Sequence, residues 1–146
     1  MYIPLKTKSL PNRMTQAVVA VALATCSILA LAAEIKVTLS GAQEVPPVTT
    51  SASGSGSIVI NDDKSVSGSI TTTGVQGVAA HIHEAASGKN GPVIIPFVKS
   101  GENGWSPQPG AKLTDAQYAS FKAGNLYVNV HSAANKGGEI RGQLKP

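Results

Sequence analysis

Apolar residues return at every second position in a series of short runs, and clusters of Gly, Pro, Asn and Asp separate the runs. Alternation of that kind turns one side of an extended segment toward a core and the other toward water. Over residues 34–40 the apolar set is Ile35, Val37 and Leu39, set against Lys36 and Thr38, which predicts a half-buried first strand. Residues 41–47 end in Pro46-Pro47. Neither proline has an N–H to donate, so this stretch reads as a loop packed across a sheet edge. Residues 53–60 and 64–71 flank Asn61-Asp62-Asp63 and predict a hairpin; the Ser/Gly alternation at 53–57 runs directly into Ile58-Val59-Ile60 and belongs to the strand.

Residues 79–84 place Ala80 and Ile82 on one side and His81 and His83 on the other. The apolar run 93–98 contains Pro96, which limits that strand to an edge or a bulge. Residues 100–111 read as irregular, with Trp105 covering the end of the core. Residues 113–124 form the one predicted helix: Thr114 and Gln117 have capping-box spacing, Gly124 closes the end, and Tyr118 and Phe121 share a face. Residues 126–131 and 139–144 are the closing strands. Seven or eight short strands with turns between them predict an all-β fold, an antiparallel Greek-key-like β-sandwich or barrel with one short helix.

Composition changes this picture at the start of the chain. Lys6, Lys8 and Arg13 precede residues 17–33, which carry no charge and contain Ala30-Leu31-Ala32. This is the pattern of a signal peptide with a small-residue cleavage site, so residues 1–33 are expected to be removed, leaving a single domain at 34–146. The Ala-rich run is marginal as a spanning helix, which needs about 20 apolar residues, and Thr25 before Cys26 fits a lipoprotein site poorly. No membrane role is expected after cleavage, and the expected location is periplasmic or extracellular. The chain's net charge is +4. Three of the twelve Lys and Arg lie in the leader and all eight acids lie after it, which leaves the domain near +1. A nucleic-acid partner therefore loses its electrostatic footing. The only cysteine, Cys26, also lies in the leader, which excludes a disulfide framework or thiolate site in the domain.

The candidate chemistry therefore falls to histidine. Two residues apart on a strand share a face and lie roughly 6.5–7 Å apart along it, a spacing on which two imidazoles can close around one ion. His131 shares its face with Tyr127 and Asn129, opposite Val128 and Val130. If its strand lies beside that of His81 and His83, at about 4.8 Å, one metal takes ligands from both. The plainer reading is three surface histidines on polar sheet faces. Glu139 and Arg141 share a strand face and read as an ion pair near the site. Ser132 and Asp115 lie in no nucleophile elbow, and Gly54-x-Gly56 precedes no helix, so hydrolase and phosphate-loop chemistry are unsupported.

Ala80-His81-Ile82-His83, Asn90-Gly91-Pro92-Val93, Leu113-Thr114, Leu126-Tyr127-Val128-Asn129-Val130-His131-Ser132 and Gly137-Gly138-Glu139-Ile140-Arg141-Gly142-Gln143-Leu144 together resemble the CHRD domain. That module is repeated in chordin and occurs singly in many secreted bacterial proteins. The resemblance runs from about Ile35 to Leu144 and implies the fold more firmly than an activity.

A more distant resemblance is to the copper and zinc superoxide dismutases, which carry a His-x-His strand followed by Glu, and a late histidine followed by a Gly-rich loop. His81, His83, Glu84, His131 and Gly137-Gly138 match those positions. A bridging fourth histidine, a cysteine pair and assignable zinc ligands are absent from the sequence. The resemblance implies copper, with zinc or another divalent ion as alternatives, bound by His81, His83 and His131. It further implies a small anion drawn by Arg141 and weak dismutase-like redox activity. The alternative is a non-catalytic extracellular interaction module.

Overall fold

The computed structural model describes residues 3–4 and 32–146. The expected leader falls almost wholly outside the described residues. Eight strands, all paired antiparallel, close into one barrel: β1 (Ala33–Ser40), β2 (Ser53–Ile60), β3 (Val66–Thr73), β4 (Gly77–Glu84), β5 (Val93–Lys99), β6 (Gly104–Pro107), β7 (Leu126–Ser132) and β8 (Ile140–Leu144). Around the barrel the order is β1-β2-β3-β6-β5-β4-β7-β8. The strands β4, β5 and β6 form a meander, and β7 returns beside β4, which is a Greek key. That return brings His131 to the strand of His81 and His83. Of the two predicted architectures, the barrel is the one formed.

The alternation is carried into the core. Ile35, Val37 and Leu39 of β1, Ile58 and Ile60 of β2, Ile82 of β4 and Val128 and Val130 of β7 all point inward and are buried. Seam geometry depends on glycine at one point: a Cβ on Gly142 would lie 2.5 Å from the Thr38 carbonyl oxygen and 2.6 Å from a Val37 methyl, so β8 can press against β1 only there without a side chain. The helix α1 (Asp115–Lys122) lies in the connection from β6 to β7. Its capping box is formed, with the Thr114 hydroxyl accepting from the Gln117 N–H at 3.2 Å and the Thr114 N–H donating to Gln117 Oε1 at 2.9 Å. Phe121 enters the core, with the Tyr118 ring 6.0 Å away.

Two expectations need correction, and a third has two alternatives that the structure decides between. Residues 104–107 are not irregular but form β6, and Trp105 is buried in the core. Gly and Pro conceal a strand whose conformation is imposed from both sides, since Trp105 pairs with Ile70 and with Lys99. Of the edge or bulge expected for Pro96, the bulge is the one found, because β5 lies between β4 and β6 and its register against β4 skips Ile94. Pro96 stands opposite His81, next to a register shift between Ile82 and His83, and that bulge is what accommodates it. Glu139 and Arg141 do not pair. Glu139 immediately precedes β8 and accepts from the Thr50 hydroxyl at 2.8 Å, whereas Arg141 turns toward residues 89–90.

Candidate metal centre

Pairing of β4 with β7 sets Ala79 opposite His131, His81 opposite Asn129 and His83 opposite Tyr127. Because Ala80, Ile82, Val128 and Val130 fill the barrel, the three histidines, Tyr127 and Asn129 share its outer face. His81 and His131 are half-buried, and the rest of that face is shut off from water. His83 is 7% exposed, Tyr127 and Asn129 2% each, and Arg141 1%. Two segments distant in sequence cover it. Arg141 donates to the Lys89 carbonyl at 2.9 Å and Asn90 Oδ1 at 3.2 Å, Gln143 to the Ala85 carbonyl at 3.0 Å, and Asn90 Nδ2 to the Val45 carbonyl at 2.7 Å. The loop after β4 is thereby fastened to β8 and to the segment after β1.

One candidate ligand atom from each of His81, His83 and His131 lies within 4.8 Å of the others. Their hydrogen-bond partners assign the tautomers. His83 Nδ1 donates to the Gly91 carbonyl and His131 Nδ1 to the Lys136 carbonyl, each at 2.9 Å, so both Nε2 atoms carry lone pairs. His81 Nδ1 lies 3.0 Å from His131 Nε2 and therefore donates to it. His83 Nε2 is buried and has no partner. Burial, reinforced by His131 and His83, lowers the His81 pKa to about 4. Burial also lowers that of His83, against the pull of the Gly91 carbonyl. Both rings are consequently neutral at pH 7.

This arrangement fits a borderline metal ion. The donors are neutral imidazoles, two of them oriented by N–H bonds to backbone carbonyls as metal-binding histidines usually are, and one lone pair is buried with nothing to accept from. Imidazole donors suit copper and zinc. A shift of the His81 proton from Nδ1 to Nε2 keeps the ring neutral and frees the third nitrogen. Glu84, the acid that follows the His-x-His pair, instead accepts from the Ser120 hydroxyl at 2.5 Å and ties β4 to α1.

Arg141 stands one ring away from the cluster. The Tyr127 ring stacks on His83 at 4.8 Å and 7°, and the Arg141 guanidinium carbon lies 3.4 Å from the Tyr127 centroid. Since β7 lies between β4 and β8, the cation and the imidazole approach the phenol from opposite sides. Its donors meet neutral oxygens; among the described residues no carboxylate forms a salt bridge with it. Glu44, from the segment after β1, is 4% exposed. Burial pushes its pKa up to about 7, although Arg141 and the Asn129 amide pull it down. Sequence reasoning missed Glu44. It also placed Tyr127 and Asn129 on this face without giving them a role, because nothing local signals that the face is roofed.

A family model described as CHRD domain matches residues 35–144. No curated protein and no solved structure matches the chain.

Proposed function

The chain belongs to the CHRD domain family, and from that premise we propose that it is a secreted or periplasmic module that binds one copper ion, or a similar divalent ion, through His81, His83 and His131. CHRD domains are typically extracellular or secreted, and among the described residues no helix is long and apolar enough to cross a membrane. The observation that carries the metal reading is the convergence of three histidine nitrogens with the His83 Nε2 lone pair buried and unpartnered. A buried acceptor left without a donor costs about 1–3 kcal/mol, and a bound cation removes that cost.

Copper held by imidazoles supplies a one-electron couple and an open coordination position. Around it the chain's own residues do three things. The carbonyls of Gly91 and Lys136 hold two rings in the required tautomer, Tyr127 fixes the His83 plane, and Arg141 contributes positive charge from behind that ring. We assign Arg141 the attraction of a small anion through its field rather than by contact, since it is 1% exposed and donates to the Lys89 carbonyl and Asn90. The test is metal analysis of protein purified from the periplasm beside the His81→Ala/His131→Ala double variant. Stoichiometric metal is expected in the wild type alone. Equal, substoichiometric metal in both overturns the reading and leaves the non-catalytic interaction module.

A further inference from the structure

Asn129 lies on β7 between Tyr127 and His131 and stands opposite His81. It is 2% exposed, and its Oδ1 is buried without a hydrogen-bond partner, as is His83 Nε2 on the neighbouring strand. The amide's orientation has a chemical cause. Its Nδ2 faces the Gly137 carbonyl at 3.5 Å, and a Cβ at Gly138 would collide with both Nδ2 and Glu44 Oε1. That side of the amide is thus packed against a carbonyl and a carboxyl group. The Gly137 carbonyl there selects the NH2 group, with Glu44 Oε1, itself buried without a hydrogen-bond partner, beside it, which leaves Oδ1 on the opposite side.

Two buried acceptors on this face therefore have no donor to meet them, His83 Nε2 and Asn129 Oδ1, beside His131 Nε2, whose one partner is His81 Nδ1. Buried polar groups in folded proteins are almost always satisfied, and a set composed of lone pairs is satisfied by a cation. We propose that Asn129 Oδ1 is a fourth, oxygen donor to the cation held by the three histidines, with Glu44 and Gly137 acting as positioning groups that turn the amide. This rests on the metal reading above and adds to it a mixed nitrogen and oxygen donor set. Such a set favours a divalent ion over cuprous copper, because an amide oxygen is a harder ligand than imidazole.

The experiment compares wild type, Asn129→Leu and Asn129→Asp. Zinc affinity is measured by competition titration, cupric coordination by electron paramagnetic resonance, and folding by thermal melting of the metal-free proteins. Leucine matches the amide in shape but has no donor. The expected result is a 10–100-fold loss of zinc affinity in Asn129→Leu, in the range typical for groups that support a metal site, with a shifted cupric spectrum. Asn129→Asp, which keeps an oxygen at the same place, restores binding. Asn129→Leu protein that melts like wild type and binds zinc with wild-type affinity and an unchanged cupric spectrum overturns the proposal while the three-histidine site stands. Failure of folded Asn129→Asp to restore binding overturns it as well, because the amide would then matter for packing alone. A wild-type protein that takes up no stoichiometric metal overturns the histidine reading itself.

Discussion

The phenol of Tyr127 lies flat against the imidazole of His83, with ring centroids 4.8 Å apart and planes 7° apart. The same tyrosine's hydroxyl accepts from the Gly91 N–H at 3.3 Å, and the Gly91 carbonyl accepts from His83 Nδ1 at 2.9 Å. Tyrosine, glycine and histidine thus close a small circuit that leaves the His83 ring one plane and one tautomer. A Cβ on Gly91 would collide with the Glu84 carbonyl, so glycine alone fits this place.

Removing the stacked ring should loosen the ligand it holds. Tyr127→Leu is expected to lower metal affinity by about 10–100-fold, the usual effect of losing a group that orients a ligand. Tyr127→Phe keeps the stack, loses only the link to Gly91, and should retain most of the affinity. Competition titrations with zinc decide it. Wild-type affinity in the leucine variant would mean that Gly91 alone orients the ring.

Arg141 supplies a test of redox chemistry. Copper-loaded protein is expected to consume superoxide weakly, because the sequence has no fourth histidine to deliver a proton, and such acid help is worth about 10²–10⁴-fold. Arg141→Gln should lower the rate further with copper content unchanged, and the difference should shrink as salt screens the charge. Loaded protein that is no faster than the metal-free form would confine the site to binding or transport.

Glu44 makes a pH prediction whose sign is set by its raised pKa. The folded protein binds this proton with a pKa of about 7, against 4.5 for the ordinary carboxyl. Between those values the folded state keeps a proton that the unfolded state has lost, so this group's contribution to stability falls as pH rises through the window. Glu44→Gln should therefore be more stable than wild type at pH 8, by about 1–3 kcal/mol given about 1.4 kcal/mol per pKa unit, and the advantage should vanish below pH 4.5. His81 acts in the opposite sense. Its pKa falls from 6.5 to about 4 on folding, so its contribution is lost as pH drops through that range. Urea melts of both proteins across pH separate the two effects, because only the Glu44 contribution differs between them.

Export is tested by mass. Protein recovered from the periplasm of an expressing bacterium should be about 32–33 residues shorter than encoded, as cleavage after the charge-free run requires. An intact leader on exported protein would indicate a membrane anchor, and a lipid on Cys26 a lipoprotein.

The strands that sequence made legible are those whose partners impose nothing beyond alternation. Ile35, Val37 and Leu39 announce β1, and Ala80 and Ile82 announce which way His81 and His83 point. Thr114 and Gln117 announce the start of α1. The hidden strand, β6, owes its shape to β3 and β5 rather than to its own Gly104-Trp105-Ser106-Pro107. Pro96 announces an edge or a bulge, and only the register of β5 against β4, which skips Ile94, decides for the bulge. At the site, alternation grouped His81, His83, Asn129 and His131 on one face. It did not reveal that residues 41–47 and 85–92 would cover that face and bury Glu44, Tyr127 and Arg141. Burial of that kind depends on contacts such as Asn90 to Val45, 45 positions apart, which leave no local pattern.

The barrel's seam sets the order in which this molecule can come into being. The first strand, β1, pairs with β2 along its whole length but also meets β8, the last, at Ser40 and Arg141. Closure therefore waits until the final strand has been synthesised, and contacts of such long sequence separation form slowly. His81 and His131, 50 positions apart, meet only when β7 has returned to β4. The three-histidine cluster therefore does not exist on a half-made chain, and any ion it held would be met only after β7 is in place beside β4.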